Sequence, residues 1–271
     1  MIKMPKAWIN GIKIYYETYG SLSSSPLLLV SGLSGYTRSW DKHLPALSQK
    51  FFVVVFDNRG VGKSDKPPPP YSMDEFTADA VGLLDHLGIK AANVFGVSMG
   101  GMIGQHLALK FPKRVRRLVL GCTSCDGKVI LRPEVINLLK PLPSQAQERE
   151  KVLRERLRSL LSPAFLSAYP TELERLVLEA LRANQPAHGY LGQLAAVWRH
   201  NTCTRLSEIH IPTLVMHGTA DILVPPENGL FLAQRIPGAR FIGFEGAGHL
   251  FYIEQVDRVN AILNKFLIDE S

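Results

Sequence analysis

Residues Gly96–Gly100 read GVSMG and match the G-x-S-x-G pattern, in which a serine lies on a sharp turn between a strand and a helix. The flanking sequence fits this pattern. Residues 92–95 (ANVF) are a short apolar run, and residues 101–109 (GMIGQHLAL) are typical of a helix that ends before Pro112. A strand, a turn and a helix in this order raise a serine hydroxyl above a sheet, and small glycines let the backbone make the strained turn. The stretch therefore predicts that Ser98 is a nucleophile.

A serine nucleophile needs a histidine that takes its proton and a carboxylate that orients the histidine. With this type of turn, the partners follow in the order Ser, Asp or Glu, and His. Asp221 comes directly after an apolar strand pattern at residues 212–218 (PTLVMHG), and His249 follows another at residues 239–244 (ARFIGF). Both lie where strands of an open α/β sheet release their loops, the edge that carries the sites of such sheets. The sequence predicts a triad of Ser98, Asp221 and His249.

Three further motifs resemble the α/β-hydrolase superfamily, and the resemblance extends from Leu27 to about Phe266. Residues 56–65 (FDNRGVGKSD) look like its Asp-x-Arg-Gly-x-Gly-x-Ser loop, and residues 248–254 (GHLFYIE) look like its histidine loop. Residues 31–35 (SGLSG) occupy the place of its oxyanion loop, which usually begins with His. The serine at the first position of this loop is a departure that removes the usual side-chain brace but keeps the backbone donor.

The resemblance implies a fold and a set of donors. The fold class is α/β, with a mostly parallel eight-stranded sheet flanked by helices and an all-helical cap inserted after the sixth strand. The core domain comprises residues 1–126 and 206–271, and the cap comprises residues 127–205. By the same resemblance, the backbone N–H groups of Leu33 and Met99 form the oxyanion hole.

The order of predicted elements supports this class without the resemblance. Strand patterns alternate with helical patterns, which indicates a mainly parallel sheet covered on both faces. Residues 127–205, which we call the helical insertion, break the alternation: they contain no strand pattern, and their apolar residues repeat at helical spacing between prolines. Predicted strands lie at residues 6–20 (a pair joined by the Asn10-Gly11 turn), 27–31, 51–56, 92–95, 115–121, 212–218 and 239–244, and the first helices at residues 40–49 and 73–87.

Composition and charge are those of an ordinary globular protein. Hydrophobic residues make up 46% of the chain and charged residues 20%, and no apolar run approaches the roughly 20 residues that span a bilayer. The net charge of +7 comes without a nucleic-acid-binding motif, so the basic residues are interpreted as solvated surface. The start of the chain lacks the apolar segment of a secretory signal. We therefore expect a cytoplasmic protein with neither a nucleic-acid nor a membrane partner, and the sequence makes no prediction of oligomeric state.

Other residues compete for some of these roles. Asp126 follows the strand at residues 115–121, where some members of the superfamily place their acid, but Asp221 fits the commoner position. His217, at the end of a predicted strand, is interpreted as structural. Asp57 and Arg59 are also interpreted as structural, because the Asp-x-Arg-Gly pattern braces its own loop in the superfamily.

The chain contains three cysteines, Cys122, Cys125 and Cys203, which do not form an even-numbered secretory framework. The C-x-x-C spacing of the first two can indicate a redox pair or half of a metal site. However, no second Cys/His pair lies at metal spacing, and the pair does not begin a helix. The cysteines are interpreted as small loop residues.

The predicted chemistry is a two-step acyl transfer on a small-molecule carboxylic ester or lactone, without a metal or organic cofactor. Within the superfamily, the motifs look most like the branch of serine carboxylesterases and 3-oxoadipate enol-lactonases. Two alternatives remain open: hydrolysis of a carbon–carbon bond of the meta-cleavage type by the same triad, and a small-molecule receptor with vestigial hydrolysis. Ser98 at the turn excludes the nucleophilic aspartate of haloalkane dehalogenases and epoxide hydrolases.

Overall fold

The computed structural model describes residues 5–268, apart from the side chains of residues 130, 131 and 134, and within this range the chain forms one eight-stranded sheet. Residues 1–4 and 269–271 lie outside the described residues. The expectation about a secretory signal therefore falls partly on residues that the structure does not describe. The strands are β1 (Lys6–Ile9), β2 (Ile12–Tyr19), β3 (Ser25–Val30), β4 (Phe51–Phe56), β5 (Ala92–Val97), β6 (Val115–Gly121), β7 (Thr213–Gly218) and β8 (Arg240–Phe244).

The strand order is β1-β2-β4-β3-β5-β6-β7-β8. The hairpin of β1 and β2 is antiparallel and pairs with β4 in the antiparallel sense, whereas every pairing from β4 to β8 is parallel. The hairpin turns at Asn10 and Gly11, which both have positive φ, as a tight two-residue turn requires. The predicted fold class, a mostly parallel eight-stranded sheet flanked by helices, is confirmed.

Helices follow most of the parallel strands and cover both faces of the sheet. None of those within residues 5–268 is long and apolar enough to cross a bilayer. They are α1 (Leu44–Leu47), α2 (Met73–His86), α3 (Met99–Lys110), α4 (Pro133–Ile136), α5 (Ala146–Leu160), α6 (Pro163–Ala168), α7 (Glu172–Arg182), α8 (Ala187–Arg199), α9 (Pro226–Arg235), α10 (Phe251–Glu254) and α11 (Val256–Ile268).

The helix predicted at residues 40–49 is shorter than expected. The structure has a 3₁₀ turn at Thr37–Trp40 and then the four residues of α1, Leu44–Leu47. Pro45 explains the break, because a proline lacks an N–H group and clashes with the carbonyl four residues earlier, so it is tolerated only in the first turn of a helix.

Strand β4, Phe51–Phe56, shows why the parallel strands are apolar throughout. All six of its residues are buried, and successive side chains of a strand point to opposite faces. Val54 belongs to an apolar cluster that includes Phe76 of α2, while its neighbour Val53 belongs to another that includes Phe251 of α10. Because helices cover both faces, neither face needs polar residues.

The helical insertion lies at the carboxyl edge of the sheet. In the described part of residues 127–205 the regular elements are all helical. The Gly62 N–H, in the loop after β4, donates to the carbonyl oxygen of Ala183 (2.8 Å), and the Leu250 N–H, in the loop after β8, donates to that of Leu160 (3.1 Å). These contacts put the insertion over loops that follow strand ends, where the resemblance expects a cap. The division into a core and a cap domain stays a prediction.

A disulfide closes the base of the helical insertion. Cys125, just after β6, is bonded to Cys203, and their Cα atoms are 4.9 Å apart. The interpretation of these two cysteines as small loop residues is therefore wrong. The C-x-x-C spacing directed attention to Cys122, which is buried and free, whereas the true partner is separated by 78 positions. The bonded pair flanks the insertion almost from its first residue to its last.

We expect the Cys125→Ser/Cys203→Ser double variant to lose about 2–4 kcal/mol of unfolding free energy relative to the oxidised protein. The cross-link restricts the unfolded chain over a long loop, and such loops gain most from closure. Denaturant titrations with and without a reducing agent measure this. The wild type should shift to a lower midpoint on reduction, and the double variant should not shift. Equal midpoints for the oxidised wild type and the double variant would contradict the prediction.

Candidate active site

Ser98 lies between β5 and α3 and carries the strain of the turn itself. Its φ is +54° and its ψ is −120°, a region that residues other than glycine rarely adopt. The two glycines of the motif instead provide room. A Cβ on Gly96 would lie 2.1 Å from the carbonyl oxygen of Gly100, and a Cβ on Gly100 would lie 2.0 Å from that of Val30. The G-x-S-x-G pattern thus reflects close backbone approach on both sides of a strained serine.

Hydrogen bonds to neighbouring elements hold this strained residue. The Ser98 N–H donates to the carbonyl oxygen of Gly121 at the end of β6 (2.8 Å). The Ser98 carbonyl oxygen accepts from the hydroxyl of Thr123 (2.8 Å) and from the Gly101 N–H (2.9 Å). Strained backbone persists only where its surroundings determine it in this way. Ser98 stays partly exposed at the carboxyl edge of the sheet.

The structure brings Asp221 and His249 into direct contact. His249 Nδ1 lies 2.7 Å from Asp221 Oδ2, and both side chains are buried. Asp221 follows β7 and His249 follows β8, two strands that pair with each other in the parallel sense, so their carboxyl ends meet at one edge. A carboxylate that accepts from Nδ1 fixes the tautomer in which Nε2 can act as a base.

The carboxylate of Asp221 is fully satisfied by donors. Its Oδ1 accepts from the backbone N–H groups of Leu223 and Val224, both at 2.9 Å. Its Oδ2 faces His249 and, at 3.2 Å, Nε2 of His217. Burial acts to raise the pKa of Asp221, but the interactions with His249 and His217 outweigh it and lower the pKa to about 2. The carboxylate is therefore ionised at neutral pH.

His217 is a member of this group that sequence reasoning missed. It is fully buried, and its Nε2 also lies 2.9 Å from the carbonyl oxygen of Val224. Because both neighbours of Nε2 only accept, this nitrogen carries the proton and donates to them. The sequence-based interpretation of His217 as structural did not include this contact with Asp221. The signal was its position four residues before Asp221, which brings the two side chains together across the turn.

No hydrogen bond within residues 5–268 joins the Ser98 hydroxyl to His249. In enzymes without substrate, this contact is often long and shortens only when the substrate binds.

The buried thiol of Cys122 interacts with both Ser98 and Asp221. Burial and the charge of Asp221 raise the pKa of the Cys122 thiol, while a hydrogen bond with the backbone of Ser98 lowers it. The thiol therefore interacts with the backbone of Ser98 and with the charge of Asp221, and its raised pKa keeps it protonated.

The loop at residues 31–35 lies against the nucleophile. A Cβ on Gly32 would be 3.1 Å from the Cβ of Ser98. In the described part of the chain, the N–H groups of Leu33 and Met99 have no acceptor, and Met99 is the first residue of α3, where helices leave N–H groups unpaired. Both N–H groups are therefore open to a ligand, and their assignment to the oxyanion hole stays a prediction.

A tryptophan and an asparagine replace the usual histidine brace of this loop. The hydroxyl of Ser31 accepts from Nε1 of the buried Trp40 (2.8 Å), and its carbonyl oxygen accepts from Nδ2 of Asn58 (3.2 Å). The departure at Ser31 therefore leaves the start of the loop anchored.

The competing acid, Asp126, has a different role. Its Oδ1 accepts from the Lys128 N–H (2.9 Å) and so caps a 3₁₀ turn, and its backbone forms a bridge with Asn201. Asp221 therefore contacts His249, whereas Asp126 stabilises the turn at the base of the helical insertion.

The Asp-x-Arg-Gly loop is built as the sequence predicted. Asp57 accepts from the N–H groups of Thr37 (2.8 Å) and Lys63 (2.7 Å). Arg59 donates to both carboxylate oxygens of Asp79, at 2.7 and 2.9 Å. Asp57 therefore joins the loop to the 3₁₀ turn at Thr37–Trp40, and Arg59 joins it to α2.

Comparison with known proteins identifies the family of this chain. The family described as the α/β hydrolase fold matches residues 25–256. The chain belongs to this family. It is 28% identical to 3-oxoadipate enol-lactonase 2 of Acinetobacter baylyi over 94% of each chain. It is 31% identical to a protein of Caulobacter segnis named as a carbamate hydrolase, RutD, over 94% of this chain and 96% of the relative.

A solved structure gives the same result. The enol-lactonase from Burkholderia xenovorans LB400 superimposes with a TM-score of 0.87 and 28% identity, over 98% of this chain and 100% of that chain. The predicted membership of the α/β-hydrolase superfamily, in an enol-lactonase-like branch, is confirmed, and so is the prediction of a hydrolase.

Proposed function

We propose that this α/β hydrolase cleaves carboxylic esters or lactones through an acyl-enzyme intermediate. Ser98 is the nucleophile, His249 the general base and acid, and Asp221 the carboxylate that orients the base. The observation that carries the proposal is the 2.7 Å contact between His249 Nδ1 and an ionised Asp221 at the edge that holds the Ser98 turn.

The mechanism follows from these positions. Nε2 of His249 takes the proton of Ser98 as its oxygen attacks the carbonyl carbon, and Asp221 stabilises the imidazolium that forms. The N–H groups of Leu33 and Met99 bind the oxyanion of the tetrahedral intermediate. His249 then gives the proton to the leaving alkoxide, and a water molecule activated by the same histidine hydrolyses the acyl-enzyme.

The two backbone donors supply a large share of the expected rate. They are directed at the charge that develops in the transition state, and one such donor is commonly worth about 3 kcal/mol of barrier. Their alignment depends on two segments that are far apart in sequence, the loop at residues 31–35 and the first turn of α3.

The names of the relatives define the substrate classes to test. One is named for an enol-lactone and another for a carbamate. Both substrates present an acyl carbon with an oxygen or nitrogen leaving group, which is the chemistry of this triad. We propose the ester and lactone class because an alkoxide is a better leaving group than an amide nitrogen, which must be protonated before the C–N bond breaks.

A substrate panel and an active-site label test the proposal together. The panel contains p-nitrophenyl esters of graded acyl length, five- and six-membered lactones, an alkyl carbamate and a dienoate diketone of the meta-cleavage type. We expect turnover of esters or lactones, and labelling of Ser98 by a fluorophosphonate, located by peptide mass spectrometry. Turnover restricted to the diketone would instead support carbon–carbon hydrolysis. Saturable binding with neither turnover nor labelling would support a receptor and overturn the proposal.

A further inference from the structure

Gln193 is a fully buried amide in α8 of the helical insertion, and its partners lie outside that helix. Its Oε1 accepts from the backbone N–H of Ser34 at 3.0 Å, across 159 positions of sequence. The same oxygen accepts from Nε2 of Gln185 (3.0 Å), and Nε2 of Gln193 donates to the carbonyl oxygen of Arg59 (2.8 Å). One side chain therefore joins the insertion to two loops of the core.

The chemistry of these partners fixes the orientation of the amide. A backbone N–H such as that of Ser34 can only donate, and a carbonyl oxygen such as that of Arg59 can only accept. Exchanging the oxygen and the nitrogen of Gln193 would break both bonds inside a buried site, where unpaired polar atoms are costly. The glutamine thus imposes one arrangement on the two loops.

Ser34 is the residue next to the Leu33 donor, and it has a strained backbone, with φ at +64°. Within the turn, the Gly35 N–H donates to the carbonyl oxygen of Gly32 (3.0 Å), and the Ser34 N–H donates to Gln193. Among the described residues, Leu33 alone of these three consecutive N–H groups has no acceptor. The bond to Gln193 holds the peptide plane between Leu33 and Ser34. That plane limits how Leu33 can turn, and therefore where its own N–H points.

The hydrogen bonds at the start of the loop do not restrain the peptide between Leu33 and Ser34. Trp40 and Asn58 bind Ser31, three residues before Ser34. Among the hydrogen bonds of residues 5–268, the one with Gln193 is the only one that reaches Ser34 itself.

We infer that Gln193 is a positioning residue for the oxyanion hole, acting through Ser34 on the Leu33 N–H. The inference rests on the proposed function. The helical insertion then does more than cover the site: the donor is aligned only while α8 is seated on the core, so closure of the insertion and stabilisation of the oxyanion are coupled.

The test compares two variants of the same helix in the full-length protein. Gln193→Met nearly conserves volume and removes both core contacts. Tyr190→Phe is the matched control: Tyr190 is also buried in α8, and its hydroxyl donates to the carbonyl oxygen of Leu139 (2.7 Å), so its bond stays inside the insertion. Tyr190→Phe loses one buried hydrogen bond and Gln193→Met loses three, and only Gln193→Met loses the contact with Ser34.

We expect Gln193→Met to lower kcat on the best ester by about 10- to 100-fold, less than the 10²–10³-fold typical for complete removal of an oxyanion donor. KM should change by less than about 3-fold, because the interaction is made chiefly in the transition state. Tyr190→Phe should keep kcat within about 2-fold. A trifluoromethyl ketone, whose adduct with Ser98 carries the oxyanion, should lose affinity in Gln193→Met in proportion to kcat, while the carboxylate product should not.

Gln193→Asn covers the case in which the methionine variant does not fold. It keeps a polar amide but is one methylene too short to bridge Ser34 and Arg59, so it should show the same loss of kcat with a normal circular dichroism spectrum. Equal kcat in the Gln193 variants and Tyr190→Phe, or a rise of KM with unchanged kcat, would overturn the inference. Absence of ester turnover and of Ser98 labelling in the wild type would instead overturn the proposed function, so the two failures are distinguishable.

Discussion

Replacement of Ser98 by Ala is expected to lower kcat/KM for short p-nitrophenyl esters by roughly 10⁴- to 10⁶-fold, the scale on which loss of a serine nucleophile acts. The unfolding free energy should change by less than about 0.5 kcal/mol, because the change removes one partly exposed hydroxyl and leaves the strained backbone in place. Initial rates and a denaturant titration on the same preparation measure both quantities.

Ser207, an exposed serine in a 3₁₀ segment, gives the matched control, and Ser207→Ala should retain full activity. Fluorophosphonate labelling should disappear in Ser98→Ala alone. A folded Ser98→Ala protein with more than about a tenth of wild-type activity would be inconsistent with a covalent mechanism at this residue.

Asp221→Asn is expected to lower kcat by about 10⁴-fold with little change in KM. The backbone donors of Leu223 and Val224 bind Oδ1, so the amide oxygen takes that side and the amide nitrogen faces His249. That nitrogen donates to Nδ1 of His249 and moves the imidazole proton to Nε2, which can then no longer accept the proton of Ser98. The wild-type pKa of about 2 keeps the carboxylate charged at neutral pH, so the variant changes the tautomer at the pH of the assay.

Asp126→Asn is the companion variant, since Asp126 is the competing acid of the sequence. An amide oxygen at residue 126 can still accept from the Lys128 N–H, so kcat should remain within about 3-fold of wild type. If Asp126→Asn lost activity and Asp221→Asn kept it, the assignment of the acid would have to be exchanged.

Local sequence patterns predicted most of the fold. The apolar runs of β4 and β7 predicted buried parallel strands, and the turn at Ser98 predicted its own strand and helix, because each signal lies within about ten neighbouring residues. The same reasoning put Asp221 and His249 at the edge where strands release their loops, and in the structure His249 Nδ1 lies 2.7 Å from Asp221 Oδ2.

Contacts between distant segments were beyond such reasoning. The bond from Cys125 to Cys203 depends on how the two ends of the helical insertion return to one place. The bonds of Gln193 to Ser34 and Arg59 depend on how α8 is seated. Nothing in the neighbourhood of a single glutamine distinguishes it from a solvated one until the packing is known. His217 is an intermediate case. Its spacing of four residues from Asp221 was visible in the sequence, but the orientation of its side chain towards that carboxylate was not.

The disulfide between Cys125 and Cys203 joins the two ends of the helical insertion, and the backbone bridge between Asp126 and Asn201 reinforces this junction. Because the segment leaves and re-enters the core at one cross-linked point, its length can change without moving the strand ends that flank it. We expect a graft between the two cysteines from another hydrolase to alter the substrate range, on condition that it also keeps the contacts with Gly62 and Leu250 and supplies an amide to Ser34.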